Sequence, residues 1–321
     1  MREMNLVNNL NEVKMKSMRD GWGEGLVDVG EKNSDVVVLT GDLGESTRVS
    51  EFGKKWPERF VQVGVAEQNL MGVAAGMALE GKILFVSSFA VFSPGRNWDQ
   101  LRVSVAYTNA NVKIVGSHVG VSVGVDGASH QALEDIAITR VLPGLKVVAP
   151  ADFEQAKKMV GELVRVDGPV YMRVNRNKTG VFTTEATPLV LGKAQVLREG
   201  SEVTIVACGA MVYEALMVAE ELKGKVEVIN MHMIKPLDKE TLVRSIKKTG
   251  RVVVVEEHQV IGGLAGAVAE TLMEVEPVLM RRIGMNDCFG ESGEAGELLE
   301  KYGMTRGDIM GAVKELMEIK K

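Results

Sequence analysis

Residues 83–116, ILFVSSFAVFSPGRNWDQLRVSVAYTNANVKIVG, read as strand, helix, strand. ILFVSS (83–88) and VKIVG (112–116) are short apolar runs rich in β-branched residues, and the stretch between them is too long for a hairpin. It therefore reads as a crossover joining two parallel strands. Working outward, VVVL (36–39), LKVVA (145–149) and VYMRV (170–174) repeat the strand signal. The spacers read as helices: one carries WGEGLVDVG, another is AEQNLMGVAAGMAL (66–79) stopped by Gly81, and a third begins at Phe153 with Asp152 as its cap. This predicts a five-strand parallel α/β domain over 17–190, preceded by a short extension, 1–16. Between Gly180 and Gly200 the pattern loosens into a hairpin-like stretch. It then restarts with VTIVA (203–207), VEVIN (226–230), RVVVVEE (251–257) and VLMRRIG (278–284). Helices are expected near 211–223, 238–248, 263–274 and 306–318, the last capped by Thr305 with Asp308. The second α/β domain spans 191–321.

The 321 residues suit two domains, and 45% hydrophobic with 25% charged residues is the balance of a soluble globular protein. No apolar run approaches the roughly 18 residues that span a bilayer, and the amino terminus shows no secretory or transit pattern, so the expected location is cytoplasmic, away from membranes. A net charge of −5 without a basic stripe excludes a nucleic-acid surface. Cys208 and Cys288 have no second Cys or His at metal-ligand spacing, so no metal site is expected on this chain and the thiols read as buried or inert. The 35 glycines gather where strands meet helices, where parallel sheets build small-molecule sites.

Three segments could carry chemistry. SHVGVSVGVDGASHQALED (117–135) follows a strand and holds His118 and His130, two of the four histidines, in a glycine-rich loop that can bring backbone close to a ligand. Twelve residues apart, they share no helical or strand period, so only the fold can pair them; two structural histidines are the plainer alternative. Glu67 stands where an apolar segment turns into a helix, either as a helix-start carboxylate or as a buried group whose dipole and desolvation conflict. The GVAAG that follows lies inside the helix and reads as packing. Phe89 and Phe92, just past a strand end, are core residues or a flat wall for a planar ring.

At these residues the chain resembles the transketolase family, particularly its split, two-chain form, from about Met18 onward. The resemblance implies a parallel-sheet pyrimidine-binding domain of the thiamine-diphosphate fold followed by a transketolase C-terminal domain. It implies transfer of a two-carbon ketol unit from a ketose phosphate to an aldose phosphate. Glu67, in VGVAEQN, would bond the aminopyrimidine ring nitrogen of thiamine diphosphate and drive the tautomerisation that deprotonates the thiazolium carbon, with Phe89 and Phe92 around the pyrimidine and Asp42 near the thiazolium. In the substrate loop, His130 would bond the donor's oxygen, His118 would lie deeper toward the phosphorylated end, and Asp126 would read a hydroxyl. Arg19, Ser46 and Arg176, from MRDGWGEG, GDLGEST and VYMRVNRN, match the family's phosphate ligands, and guanidinium forks suit phosphate. The second domain would be structural and dimer-forming, with His232 and His258 structural.

Departures from the family pattern are Ala66 and Gln68 beside Glu67, Gly95 where a third aromatic is expected, and Val119 in place of an acidic residue. The Gly-Asp-Gly segment that binds Mg²⁺ and diphosphate in such enzymes does not occur in the sequence. The resemblance therefore implies an N-terminal partner subunit carrying Gly-Asp-Gly and Mg²⁺, with self-association into an α2β2 heterotetramer. Three alternatives remain beside it. A 2-oxoacid dehydrogenase beta subunit lacks the His118–Asp126 pair and the phosphate set. Deoxyxylulose phosphate synthase keeps its domains in one chain and has no counterpart of His118. A non-catalytic scaffold would not be expected to retain Glu67 and His130.

Overall fold

The computed structural model describes residues 4–319. In chain order the strands are β1 Met15–Ser17, β2 Val36–Thr40, β3 Phe60–Gln62, β4 Ile83–Phe89, β5 Val112–Ser117, β6 Lys146–Val148, β7 Val170–Val174, β8 Lys178–Gly180, β9 Gln195–Arg198, β10 Val203–Ala207, β11 Val226–Asn230, β12 Met233–Lys235, β13 Arg251–Gln259 and β14 Leu279–Met285. The helices are α1 Met18–Lys32, α2 Ser50–Lys55, α3 Glu67–Leu79, α4 Trp98–Gln100 (continuing as a π-helix over Leu101–Ala106), α5 Asp135–Arg140, α6 Phe153–Val164, α7 Met211–Glu221, α8 Lys239–Thr249, α9 Leu264–Val275, α10 Ala295–Lys301 and α11 Arg306–Glu318. The Asp152 cap and the Thr305–Asp308 capping box are both present.

The first sheet has seven strands in the order β12-β6-β7-β5-β4-β2-β3, parallel except for β12. The sequence predicts five. Phe60–Gln62, only three residues long, is too short to announce itself, and Met233–Lys235 arrives from the second half of the chain to close the β6 edge. The hairpin expected between 180 and 200 is also absent: β8 pairs with β1, and β9 pairs antiparallel with β11 in the second sheet. That sheet runs β14-β13-β10-β11-β9. A single apolar cluster contains Leu70 and Ile114 of the first sheet's layers together with Val206 and Val254 of the second, so the two domains share a core.

Helices α1 and α6 pack closely because Gly21 and Gly25, one turn apart, face backbone. A Cβ at these positions would stand 2.2 Å from the Phe153 carbonyl oxygen and 2.5 Å from that of Lys157. Trp22 and Leu26, fully buried on the same helix, fill the layer beneath, and burying side chains of this size contributes roughly 1.5–3 kcal/mol each. Helices α1, α2 and α6 cover one face of the sheet, and α3, α4 with its π-helical extension, and α5 cover the other. The chain leaves β2 toward the first face and the neighbouring β4 toward the second. Their carboxyl ends thus flank a topological switch point, where parallel sheets open a crevice.

The expected packing of GVAAG is overturned in part. Ala74, Ala75 and Ala78 are buried, but Gly72 and Gly76 face outward with open space where a Cβ would sit. Of the two thiols, Cys208 is buried and Cys288 exposed. Among the described residues no helix is long and apolar enough to cross a membrane.

Candidate active site

The residues singled out from sequence follow strand after strand at one rim of the first sheet. Asp42 and Ser46 follow β2, Glu67 follows β3, Phe89 ends β4 with Phe92 just beyond, His118 follows β5 and Arg176 follows β7. The parallel order places all these carboxyl ends on one edge.

Four of them form a contiguous aromatic cluster. The Phe89 ring stacks on His118 with centroids 3.8 Å apart and on Phe92 at 6.0 Å, and His130 meets Phe92 edge-on at 5.4 Å. The fold therefore pairs the two histidines that no local period could pair. His118 is buried at a left-handed φ of 60°. Burial, with Arg19, Arg176, His130 and Arg48 nearby, pushes its pKa down to about 3, so the ring is neutral near pH 7. Its Nδ1 shares a hydrogen bond of 2.5 Å with the Ser117 hydroxyl. His130, only partly covered, shares one of 2.9 Å with Ser129.

Glu67 opens α3 and is 1% exposed. Its carboxylate caps none of the helix N–H groups. Oε2 accepts from Arg96 Nη1 at 2.8 Å, while Oε1 is buried without a partner. A buried acceptor left unmade costs about 1–3 kcal/mol, so a ring N–H presented there would be welcome. Arg96 also lies over the Phe92 ring at 4.6 Å, linking the carboxylate to the aromatic wall. Sequence reasoning passes over Arg96; its signal is a cation within the loop that carries both phenylalanines. The third aromatic cannot stand at Gly95, where a Cβ would lie 2.0 Å from the Val91 carbonyl oxygen.

The remaining candidates sort into pairs. Arg19 Nη1 donates to the Ser46 carbonyl at 3.0 Å and leaves Nε buried without a partner. Burial first, then Arg48, lowers the Arg19 pKa, the signature of cations gathered where an anion would relieve them. Arg176 Nη1 donates to Asp126 Oδ2 at 2.9 Å and to the Val123 carbonyl at 3.0 Å. Asp126 and Arg176 thus engage each other in this structure. Asp42, exposed at φ 64°, donates its N–H to Gln62 Oε1 at 2.6 Å and borders a shallow cavity of about 220 Å³ that also reaches Ser46. A larger cavity of about 870 Å³ lies on the far side of α1 and α6, away from these residues.

His232 and His258 are fully buried. His258 Nδ1 bonds the Gln259 carbonyl at 2.7 Å, and burial pushes the His232 pKa down to about 4. Among the described residues no group of three or more His, Cys, Asp or Glu is placed to hold a metal ion.

Comparison with known proteins agrees with this architecture. The transketolase pyrimidine-binding domain family matches residues 14–181, and the transketolase C-terminal domain family matches 192–309. A putative transketolase C-terminal section of Methanocaldococcus jannaschii is 45% identical over 310 residues, covering 94% of this chain and 97% of the relative. A 6-deoxy-6-sulfo-D-fructose transketolase subunit of Clostridium sp. (strain MSTE9) is 44% identical over 314 residues, covering 96% and 98%. A solved structure described as a split gene transketolase, an inactive beta4 tetramer, superposes with a TM-score of 0.88 at 45% identity, covering 95% of this chain and 99% of that one.

Proposed function

The chain belongs to the transketolase family, and on that premise we propose that it is the C-terminal subunit of a split enzyme transferring a two-carbon ketol unit between anionic sugars. The observation that carries this reading is Glu67 Oε1, buried and unpartnered, on a carboxylate that Arg96 links to the Phe92 ring of the Phe89–Phe92 wall. A buried carboxyl oxygen free to share a proton with a ring nitrogen, tied to an aromatic wall through Arg96, fits the aminopyrimidine of thiamine diphosphate. That group, when bound, supplies an acidic thiazolium carbon able to carry the ketol unit. Glu67 then holds a proton at Oε1, with Arg96 fixing the other oxygen, while Phe89 and Phe92 exclude water from the ring and Asp42 faces the thiazolium side.

His130 hydrogen-bonds the donor's oxygen, and neutral His118 orients the sugar more deeply. Asp126 reads a hydroxyl. Arg19, Ser46 and Arg176 hold the terminal phosphate, and the lowered pKa of Arg19 favours an anion there. The sulfosugar named for the Clostridium relative carries an anion at the same end of the molecule, so the sugar itself is set by contacts elsewhere. We place the pyrimidine-binding domain at 17–190 and the C-terminal domain at 191–321. The diphosphate and Mg²⁺ are held by a partner chain with Gly-Asp-Gly, in a complex with two copies of each subunit.

Mixing the purified chain with such a partner, thiamine diphosphate and Mg²⁺ should yield ketol transfer from a ketose phosphate, and the chain alone should yield none. Robust turnover without the partner refutes the split-site reading. Failure of every two-chain mixture to transfer ketol groups refutes the activity.

A further inference from the structure

The loop carrying His118 and His130 is rich in glycine. Gly120, Gly124 and Gly127 all sit at left-handed φ, and such a segment loses more conformational entropy on ordering than any other, at about 1–2 kcal/mol per residue. Something must hold it, and much of the hold comes from the second domain. Glu257 on β13 is 3% exposed. Its Oε1 accepts the Ser122 N–H at 2.6 Å and its Oε2 accepts Asn175 Nδ2 at 3.0 Å. Its backbone carbonyl accepts Arg173 Nη2 at 3.1 Å, and Arg173 grips Asp135, at the loop's far end, through Nε at 2.8 Å and Nη2 at 3.1 Å.

The fit is tight. A Cβ on Gly120 would lie 2.2 Å from Glu257 Oε1. Gln131, next to His130, ties the loop again by donating to the Val121 carbonyl at 3.1 Å and to the second domain's Glu291 carbonyl at 2.9 Å. Ser122 lies between the two histidines in sequence, nearer His118, in the 3-10 turn Val121–Val123.

We propose that Glu257 is a positioning residue: by accepting the Ser122 N–H from across the domain boundary, it sets the placement of His118 and His130 in the substrate site. The consequence for catalysis rests on the ketol-transfer reading; the hold on the loop does not. The C-terminal domain thereby takes part in substrate geometry, beyond the structural role its family resemblance implies. Glutamate suits the position because two donors converge on it, and an amide would present one of them with a third donor.

The test is Glu257→Gln, read in two ways. In the isolated chain, hydrogen exchange of the peptide spanning 118–131 should quicken at least about tenfold while β4 and β5 keep wild-type protection. In the two-chain complex, donor cleavage should fall by about 10- to 100-fold, as expected for groups displaced by an ångström. Deuterium exchange at the thiazolium carbon, which depends on Glu67, should hold at the wild-type rate. If Glu257→Gln melts below the assay temperature, Glu257→Asp, which keeps the charge and withdraws the acceptor by one methylene, carries both measurements. Unchanged loop protection overturns the proposal, and so does a loosened loop with unchanged donor cleavage. Should the wild-type complex transfer no ketol group, the functional reading fails, while the exchange experiment still decides whether Glu257 holds the loop.

Discussion

Two buried glutamates at strand-to-helix transitions, one in each domain, use their oxygens in opposite ways. Glu67 keeps Oε1 without a donor, whereas Glu256 on β13 gives one oxygen to the Leu264 N–H at 2.7 Å and the other to the Ala265 N–H at 2.8 Å, capping α9. The contrast extends beyond the pair. Of eleven buried side-chain polar atoms without a partner among the described residues, nine lie before residue 191, Arg19 Nε and Glu67 Oε1 among them. Most of the spare hydrogen-bonding capacity thus lies in the first domain, while the second keeps only Asn230 Oδ1 and His232 Nδ1 unpaired among the described residues. Unspent capacity at a switch point marks where a ligand completes the structure.

The sharpest way to break this comparison is to make the same change on both sides. Glu67→Gln should preserve fold and partner binding yet slow thiazolium proton exchange by on the order of 10²- to 10⁴-fold, the usual cost of losing a positioned acid–base group. Wild-type exchange with normal cofactor binding would reduce Glu67 to a helix-start residue. Glu256→Gln should leave that exchange untouched and instead lower unfolding free energy in urea by about 1–3 kcal/mol, because one α9 N–H loses its acceptor. A swapped result would erase the distinction.

A smaller effect is expected at Arg176. Arg176→Ala should raise KM for phosphorylated acceptors by about 10- to 100-fold, in line with roughly 1.5–3 kcal/mol for a charge-assisted contact, with little change in kcat for unphosphorylated aldehydes. Equal losses for both acceptors would remove Arg176 from the phosphate site.

Acidity distinguishes the regions less. His118 and His232, one on each side, have folded pKa values of about 3 and about 4 against 6.5 for a free side chain. The native state binds fewer protons than the unfolded chain between those values. The stability each contributes is therefore complete above pH 6.5 and lost as pH falls toward 4, by on the order of 3 kcal/mol for His232. Urea titrations across that window should show the decline, and His232→Gln should make it shallower while the His118 share remains; a pH-independent midpoint would contradict it. Smallest of all, Thr305→Ala should cost about 1 kcal/mol through loss of the α11 capping box, with ketol transfer unchanged. A loss of transfer would mean that even the distal helix bears on the site.

Much of this was legible in the sequence. Val170–Val174, Val203–Ala207 and Val226–Asn230 fall at the predicted boundaries because each is a wholly buried run of five, as central parallel strands require. Both edge strands of the first sheet escape notice: Phe60–Gln62 and Met233–Lys235 are three residues each, and their identity as strands comes from neighbours distant in sequence. The meeting of His118 with His130 was flagged, but its cause, a carboxylate 135 residues beyond Ser122, leaves no local trace. Likewise nothing in FSPGRN announces that Arg96 turns back to Glu67.

The β12 strand has a consequence for the order in which the protein can be made. Met233–Lys235 closes the β6 edge of a sheet whose other strands all precede residue 175, and Leu10, near the start, packs in a cluster with Val203 and Val313. During synthesis the ribosome must deliver residue 235 before the first sheet is complete, and the beginning of the chain must wait for residues near its end. Until then β6 offers an unpaired edge, the kind of surface that recruits strands from other molecules. A nascent chain of this sequence is thus most exposed to misassembly, and has most use for a chaperone, while the stretch between β8 and β12 is being translated.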